Sequence, residues 1–229
     1  MLNLIKLEMR RMNVQGVLLN FLLINAGIIG MLLLISIDPE AVAEFYANPE
    51  DIMMLIKLLV VAAFVIHASV LLSNMIVEEF KNKTISVLFM YPINRKKLLL
   101  SKLIIVSFLT FCFIVISVGI VFFSFFILNN MYALTAVPLT TELFTNEAAH
   151  IISIALACAG MSLIPLFFGM IKYSVPATIT SSILIVAILS STGESGGNLF
   201  SITAIPIMLG VIGFLVAYLV ISKAVRKDF

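Results

Sequence analysis

The run "IMMLIKLLVVAAFVIHASVLLSNMIV", Ile52 to Val77, passes directly into "EEFKNKTISVLFMYPINRKKLLLSK", Glu78 to Lys102. The first stretch is apolar along its whole length apart from Lys57, His67 and a few small polar residues. About 20 such residues cross a hydrocarbon core of about 30 Å as a helix, whereas a barrel strand alternates apolar and polar residues over about ten. A helix is also the form that satisfies every backbone polar group within its own segment. The second stretch reverses the character of the first and holds six of the chain's 14 Lys and Arg residues.

Moving outward, the whole chain repeats this alternation. Its 229 residues are 62% hydrophobic and 11% charged, with a mean hydropathy of +1.20. These values lie far outside the soluble globular range and predict an integral membrane protein of the all-α class. Six runs are long enough to be read as spans: Val14 to Ile37, Ile52 to Val77, Leu98 to Leu128, Ala148 to Ile171, Ser174 to Ser190 and Ser201 to Ser222. Residues 1–229 read as a single bundle, with no room for a soluble domain. The first run precedes Asp38-Pro39-Glu40 rather than a small-residue cleavage site, so a retained helix is expected. Cys112 and Cys158 fall inside spans without metal or redox spacing and read as packing residues.

Charge sets the orientation, because Lys and Arg near span ends are retained on the cytoplasmic side. Lys6, Arg10 and Arg11, then Lys81, Lys83, Arg95, Lys96, Lys97 and Lys102, then Lys172, then Lys223, Arg226 and Lys227 all fall on one face of a six-span bundle. The loops of the other face hold Asp38, Glu40, Glu44, Glu50, Asp51, Glu142, Glu147 and Glu194, and no Lys or Arg. Both termini are therefore expected to be cytoplasmic in a plasma membrane. The segment "MLNLIKLEMRRM" spaces Leu2, Ile5, Met9 and Met12 at helical intervals opposite Lys6 and Arg10, which predicts an interfacial amphipathic helix.

Lys57 is the one basic residue off this plan. It is expected to snorkel to the outer headgroups or to pair with nearby acids, with a place on the substrate path as the sharper reading. His67 lies deeper in the same span, where an ionisable residue is by default a functional hypothesis, although a quiet hydrogen bond between helices would also account for it. No Asp or Glu falls well inside any span, which weighs against ion-coupled transport. No G-x-x-x-x-G-K-[ST] phosphate loop occurs, and the Gly-rich "STGESGGN" lacks its lysine. The chain is thus expected to be no enzyme, to bind no cofactor or metal, and to meet no nucleic acid. Any pumping would draw its energy from another subunit.

The loop supplies a way to receive that energy. Thr84 to Met90 can form two helical turns, capped by Thr84 and stopped by Pro92. Asn94 suits the N-cap of the next long helix, whose first turn carries Arg95, Lys96 and Lys97. Bases there oppose the helix dipole, so they serve topology or a partner surface rather than the helix itself.

These residues resemble the permeases of the ABC-2 type, whose first cytoplasmic loop commonly reads E-x-x-x-G-T-x-E-x-L-L-x-x-P-[IV]-[SN]-R-x-x-x-x-x-x-K. Glu79 (or Glu78), Thr84, Leu88, Pro92, Ile93, Asn94, Arg95 and Lys102 match, while Lys83 stands in place of glycine and Ser86 in place of an acid. The resemblance implies a coupling helix between spans 2 and 3 that docks on a separate ABC ATP-binding subunit, which carries ATP and Mg. Glu79, Thr84, Val87, Leu88, Phe89, Pro92, Arg95 and Lys102 would form that docking surface. It further implies two permease halves, identical or related, embedded in membrane lipid, and export of peptides, lipid-like molecules or drugs.

Two other classes remain open at this stage. An ATP-independent pore or immunity protein would share the composition. Glu78-Glu79-x-x-x-Lys83 also resembles the E-E-x-x-x-R element of CAAX-type intramembrane proteases, but Phe64 precedes His67 by three positions rather than the four of F-x-x-x-H, and His150 has no such motif. Pro165 and Pro176, with Gly160 and Gly169 nearby, are expected to bend or break the fourth and fifth helices and are hinge candidates.

Overall fold

The computed structural model describes residues 2–46, 48–82, 95–132, 141–191 and 204–226, and among them all regular structure is helical. A short helix α1 (Leu2–Arg11) leads into α2 (Val14–Ile35), a connecting helix α3 (Pro39–Phe45) and α4 (Pro49–Leu72). The axis of α4 continues through a π-helical turn, Ser73–Val77, into α5 (Glu78–Lys81). Then follow α6 (Arg95–Tyr132), α7 (Thr141–Met161), α8 (Pro165–Lys172), α9 (Val175–Ser190) and α10 (Ala204–Arg226).

Among the described residues, five stretches are long and apolar enough to cross a membrane: Val14–Ile35, Pro49–Lys81, Lys96–Met131, Phe144–Ile171 and Ala204–Lys223. The fifth expected span does form an apolar helix, α9, but its 16 residues rise only about 24 Å, short of a bilayer core of about 30 Å. α6 departs in the other direction. Its 38 residues rise about 57 Å, well past the core.

Local signals explain several helix ends. Asn13 caps α2 by accepting from the Gly16 amide at 3.2 Å, and Asp38 caps α3 by accepting from Glu40 at 3.1 Å. The fourth run breaks over 162–164, and Pro165 opens α8 at a position where its missing N–H leaves nothing unpaired. Pro176 stands in the first turn of α9 behind the Ser174 cap, so it starts that helix rather than bending it. Between the two, Tyr173 takes a left-handed conformation, φ 48°, that ends α8, and its ring stacks on Phe80 of α5 at 5.7 Å.

The packing is centred on α4, which touches α2, α6, α7 and α9. On α2 the buried residues Val17, Phe21, Asn25, Ile28 and Leu32 recur at three- and four-residue intervals facing α4 and α6. Leu18, Leu22 and Leu34 on its other side are exposed, as a lipid-facing stripe requires. Phe21, Phe64 and Phe113 meet between these helices with ring centroids 4.8 to 5.9 Å apart. α7 and α10 approach closely. A Cβ on Gly160 would collide with the Gly210 carbonyl and one on Gly213 with the Gly160 carbonyl, so glycine sets the distance between the two helices. Cys158 is buried in the same core, and Cys112 is half-buried; both are free thiols.

The bundle has two chemically distinct ends. Arg10, Arg11, Lys81, Lys96, Lys97 and Lys102 lie at one, beside the ends of the α5 to α6 connection; Asp38, Glu40, Glu50, Asp51 and Glu147 lie at the other. At the acidic end Tyr46, 2% exposed, donates to the Leu32 carbonyl at 2.7 Å and packs on Phe125, closing the α3 connection over the core. Burial pushes the Tyr46 phenol up to about 12.

Candidate functional site

The basic end is organised by the π turn. There the Glu78 amide bonds to the Ser73 carbonyl five residues back, so the hydrogen-bond ladder slips where α4 leaves the bundle. Lys102, on α6 and 1% exposed, donates to the Met75 carbonyl of this turn at 2.9 Å and to one carboxylate oxygen of Glu79. The other oxygen of Glu79 receives Arg11 of α1 at 3.1 Å, and the Glu8 carboxylate stands 3.8 Å from the Lys102 ammonium. A buried ammonium is tolerated only with such partners. One carboxylate, Glu79, thereby ties α1, α5 and α6 together on both sides of the connection 83–94.

Beside this network a cleft of about 490 Å³ opens between α1, the first half of α2 and the second half of α4. Asn13, Asn20 and Asn74 line it, with Glu8, Glu78 and Glu79 contributing carboxylates. His67 forms part of its wall at membrane depth. The imidazole is 8% exposed, lies 6.0 Å from the Phe113 ring and has no hydrogen-bond partner at Nε2.

The acidic end holds a second charged cluster. Lys57, 7% exposed, donates to Glu147 at 2.9 Å and lies 3.1 Å from Nδ1 of His150, which is itself 3.2 Å from the same Glu147 oxygen. Lys57 therefore pairs across helices with an acid of α7 rather than with Asp51 of its own helix. Along α4 toward the centre, Ser69 shares a hydrogen bond of 2.9 Å with Ser182 of α9.

Of the loop residues singled out from sequence, Thr84, Val87, Leu88, Phe89 and Pro92 lie outside the described residues. Arg95 begins α6, and Lys102 and Glu79 meet in the ion pair above. Lys57 and His67 sit on one helix but in separate environments, at the acidic end and on the cleft wall. Glu8, Asn20, Asn74 and Glu147 were not anticipated. Glu8 carried a readable signal, since it lies three residues after Ile5 and four before Met12, on the inward face of α1. Glu8 turns in to meet Lys102, while Met9 is 43% exposed.

Comparison with known proteins gives the family. The family model described as ABC-2 family transporter protein matches residues 4–187. The Bacillus subtilis (strain 168) protein named "Uncharacterized protein YcbO" is 37% identical over 228 residues, covering 99% of this chain and 100% of that protein. No solved structure matches. The chain belongs to the ABC-2 family of transporter membrane proteins.

Proposed function

We propose that this chain is the membrane subunit of an ATP-driven exporter, energised by a separate ABC ATP-binding subunit that docks on the segment Thr84 to Met90. Six spans, with both termini and this segment on the cytoplasmic face of the plasma membrane, agree with the distribution of basic residues. Two such bundles, identical or related, would enclose the path, and the exported molecule would be a peptide, a lipid-like amphiphile or a drug. ATP and Mg would reside in the partner.

One observation carries the reading. Glu79 and Lys102 close the two ends of the connection 83–94 with a buried ion pair, and Arg11 joins α1 to it. A displacement of the docked segment would thus pass to α1, α4 and α6 together rather than dissipate in one loop, which is what a coupling device requires. The apolar Val87, Leu88 and Phe89 between charged flanks supply docking anchors.

Co-purification tests this. Truncating one central anchor commonly costs about 2 kcal/mol, roughly thirtyfold in affinity. Leu88→Ala with Phe89→Ala should release the ATP-binding subunit from the solubilised complex while the permease remains folded. Retention at wild-type stoichiometry with undiminished transport would refute the docking assignment.

A further inference from the structure

At the acidic end three polar atoms form a closed triangle. Lys57 Nζ lies 2.9 Å from Glu147 Oε2 and 3.1 Å from His150 Nδ1, and Nδ1 lies 3.2 Å from the same Oε2. An ammonium only donates, so Nδ1 accepts from Lys57 and the imidazole carries its one proton on Nε2. In this form the Lys57 and Glu147 charges cancel, and both contacts of Lys57 cross from α4 to α7. Lys57 is 7% exposed, whereas His150 is only half-buried and open to protons from the aqueous end. Among the described residues no other side chain forms an ion pair or side-chain hydrogen bond with the imidazole. α7 presents Glu147 and α4 presents Lys57, while Glu50 and Asp51 stand back in the first turn of α4, where Asp51 accepts from Asn48. Glu40 is exposed on α3, which packs on α4; α6 has no ionisable side chain between Cys112 and Tyr132, and α10 none before Tyr218.

A second proton on the imidazole breaks this triangle. Nδ1–H then donates to Glu147 Oε2, and Lys57 Nζ, 3.1 Å away, becomes a like charge. The cluster would hold one excess positive charge around an ammonium that water scarcely reaches, which strands that charge. His150 keeps Glu147, three residues back on its own helix, and Lys57 gives way. Protonation thus exchanges a bond between α4 and α7 for one within α7. Histidine is the side chain whose charge ordinarily changes between about pH 5 and 8. We infer that His150 is a proton-operated release on the α4 to α7 contact, which loosens the acidic end of the bundle when the water beside it acidifies. The inference goes beyond the exporter reading and does not rest on it; the topology proposed above decides only that this water is the external medium.

The test uses the full chain in detergent micelles, its two histidines labelled with nitrogen-15 for magnetic resonance. The signal missing from His150→Gln identifies His150. At about pH 8 it should show the Nε2–H form, and Lys57→Met should raise its proton affinity about tenfold while Glu147→Gln lowers it about tenfold. The release itself is read as the distance between spin labels at Glu50→Cys and Asn146→Cys, both exposed, in a Cys112→Ser background with Cys158 buried. With His150 in place, one narrow distance is expected at about pH 8 and a longer, broader one at about pH 5. His150→Gln, which takes no proton, should hold the narrow distance at both, and the permanently charged His150→Arg the broad one at both. Gel filtration and helical circular dichroism check each variant; where one fails to fold, the wild-type proton position and distances still decide. An Nδ1–H form at about pH 8, unaltered proton affinity in Lys57→Met, a distance that ignores pH with His150 in place, or the same pH step in His150→Gln would overturn the release. Neither measurement needs an ATP-binding subunit, so failure of the docking test above leaves this inference standing.

Discussion

Replacing Lys102 by methionine keeps the side chain's approximate volume and removes its charge, which isolates the ion network at the basic end. The ammonium is 1% exposed and faces Glu79, Glu8 and the Met75 carbonyl. Removing one partner of a buried pair costs about 3 to 5 kcal/mol, because the remaining charge is stranded. Here the lower end applies, since Glu79 keeps Arg11 at 3.1 Å and its side chain is 12% exposed. About 3 kcal/mol translates into a fall in Tm of about 6 to 12 °C for a chain of this size. The assay is thermal unfolding of the purified protein in detergent, followed by far-ultraviolet circular dichroism, with Lys81→Met as the exposed comparison, expected within about 0.5 kcal/mol of wild type. Glu79→Gln should destabilise by a similar amount, and the double variant by less than the sum, since the two residues share one interaction. A Lys102→Met protein melting within 2 °C of wild type would refute the claim that this pair closes the connection.

At the other end, Lys57→Met should cost about 2 kcal/mol through loss of its charge-assisted bonds to Glu147 and His150, while Asp51→Asn should be near neutral; equal effects in thermal unfolding would restore a local pairing within α4. Gly213→Ala should destabilise by about 1 to 3 kcal/mol, because its methyl group meets the Gly160 carbonyl, and a stable variant would show that α7 and α10 can separate at little cost. Tyr46 is held neutral by burial, its pKa raised to about 12, so its contribution to stability is complete below its unfolded value of about 10 and declines as pH rises from there through 12. Tyr46→Phe should remove that alkaline step from the Tm profile and cost about 1 kcal/mol at neutral pH through the lost bond to Leu32.

What the sequence could show follows from the range of the interactions involved. The starts of the first and fifth runs, at Val14 and Ser174, were legible because apolar content is local; the structure adds the caps, Asn13 and Ser174. The long α6 was equally plain. The partner of Lys57 was not, since Glu147 lies 90 positions away and only packing of α4 on α7 brings them together. The π turn at Ser73–Val77 leaves no compositional trace; what marks it is Lys102 reaching the Met75 carbonyl from another helix. Pro165 and Pro176 read alike as helix breakers, yet each opens a helix, because the chain had already turned at 162–164 and at Tyr173 and Ser174. The cleft was half legible: His67 stood out as an ionisable residue at depth, but nothing local said that Glu8 of α1 would face the same space.

The most direct test of the coupling assignment is photo-crosslinking in native membranes from p-benzoylphenylalanine placed at position 88. The account predicts a covalent adduct with an ABC ATP-binding subunit, identified by mass spectrometry, and none from the same probe at position 44 near the acidic end. An adduct from position 44, or intact ATP-dependent transport with no adduct from position 88, would contradict it.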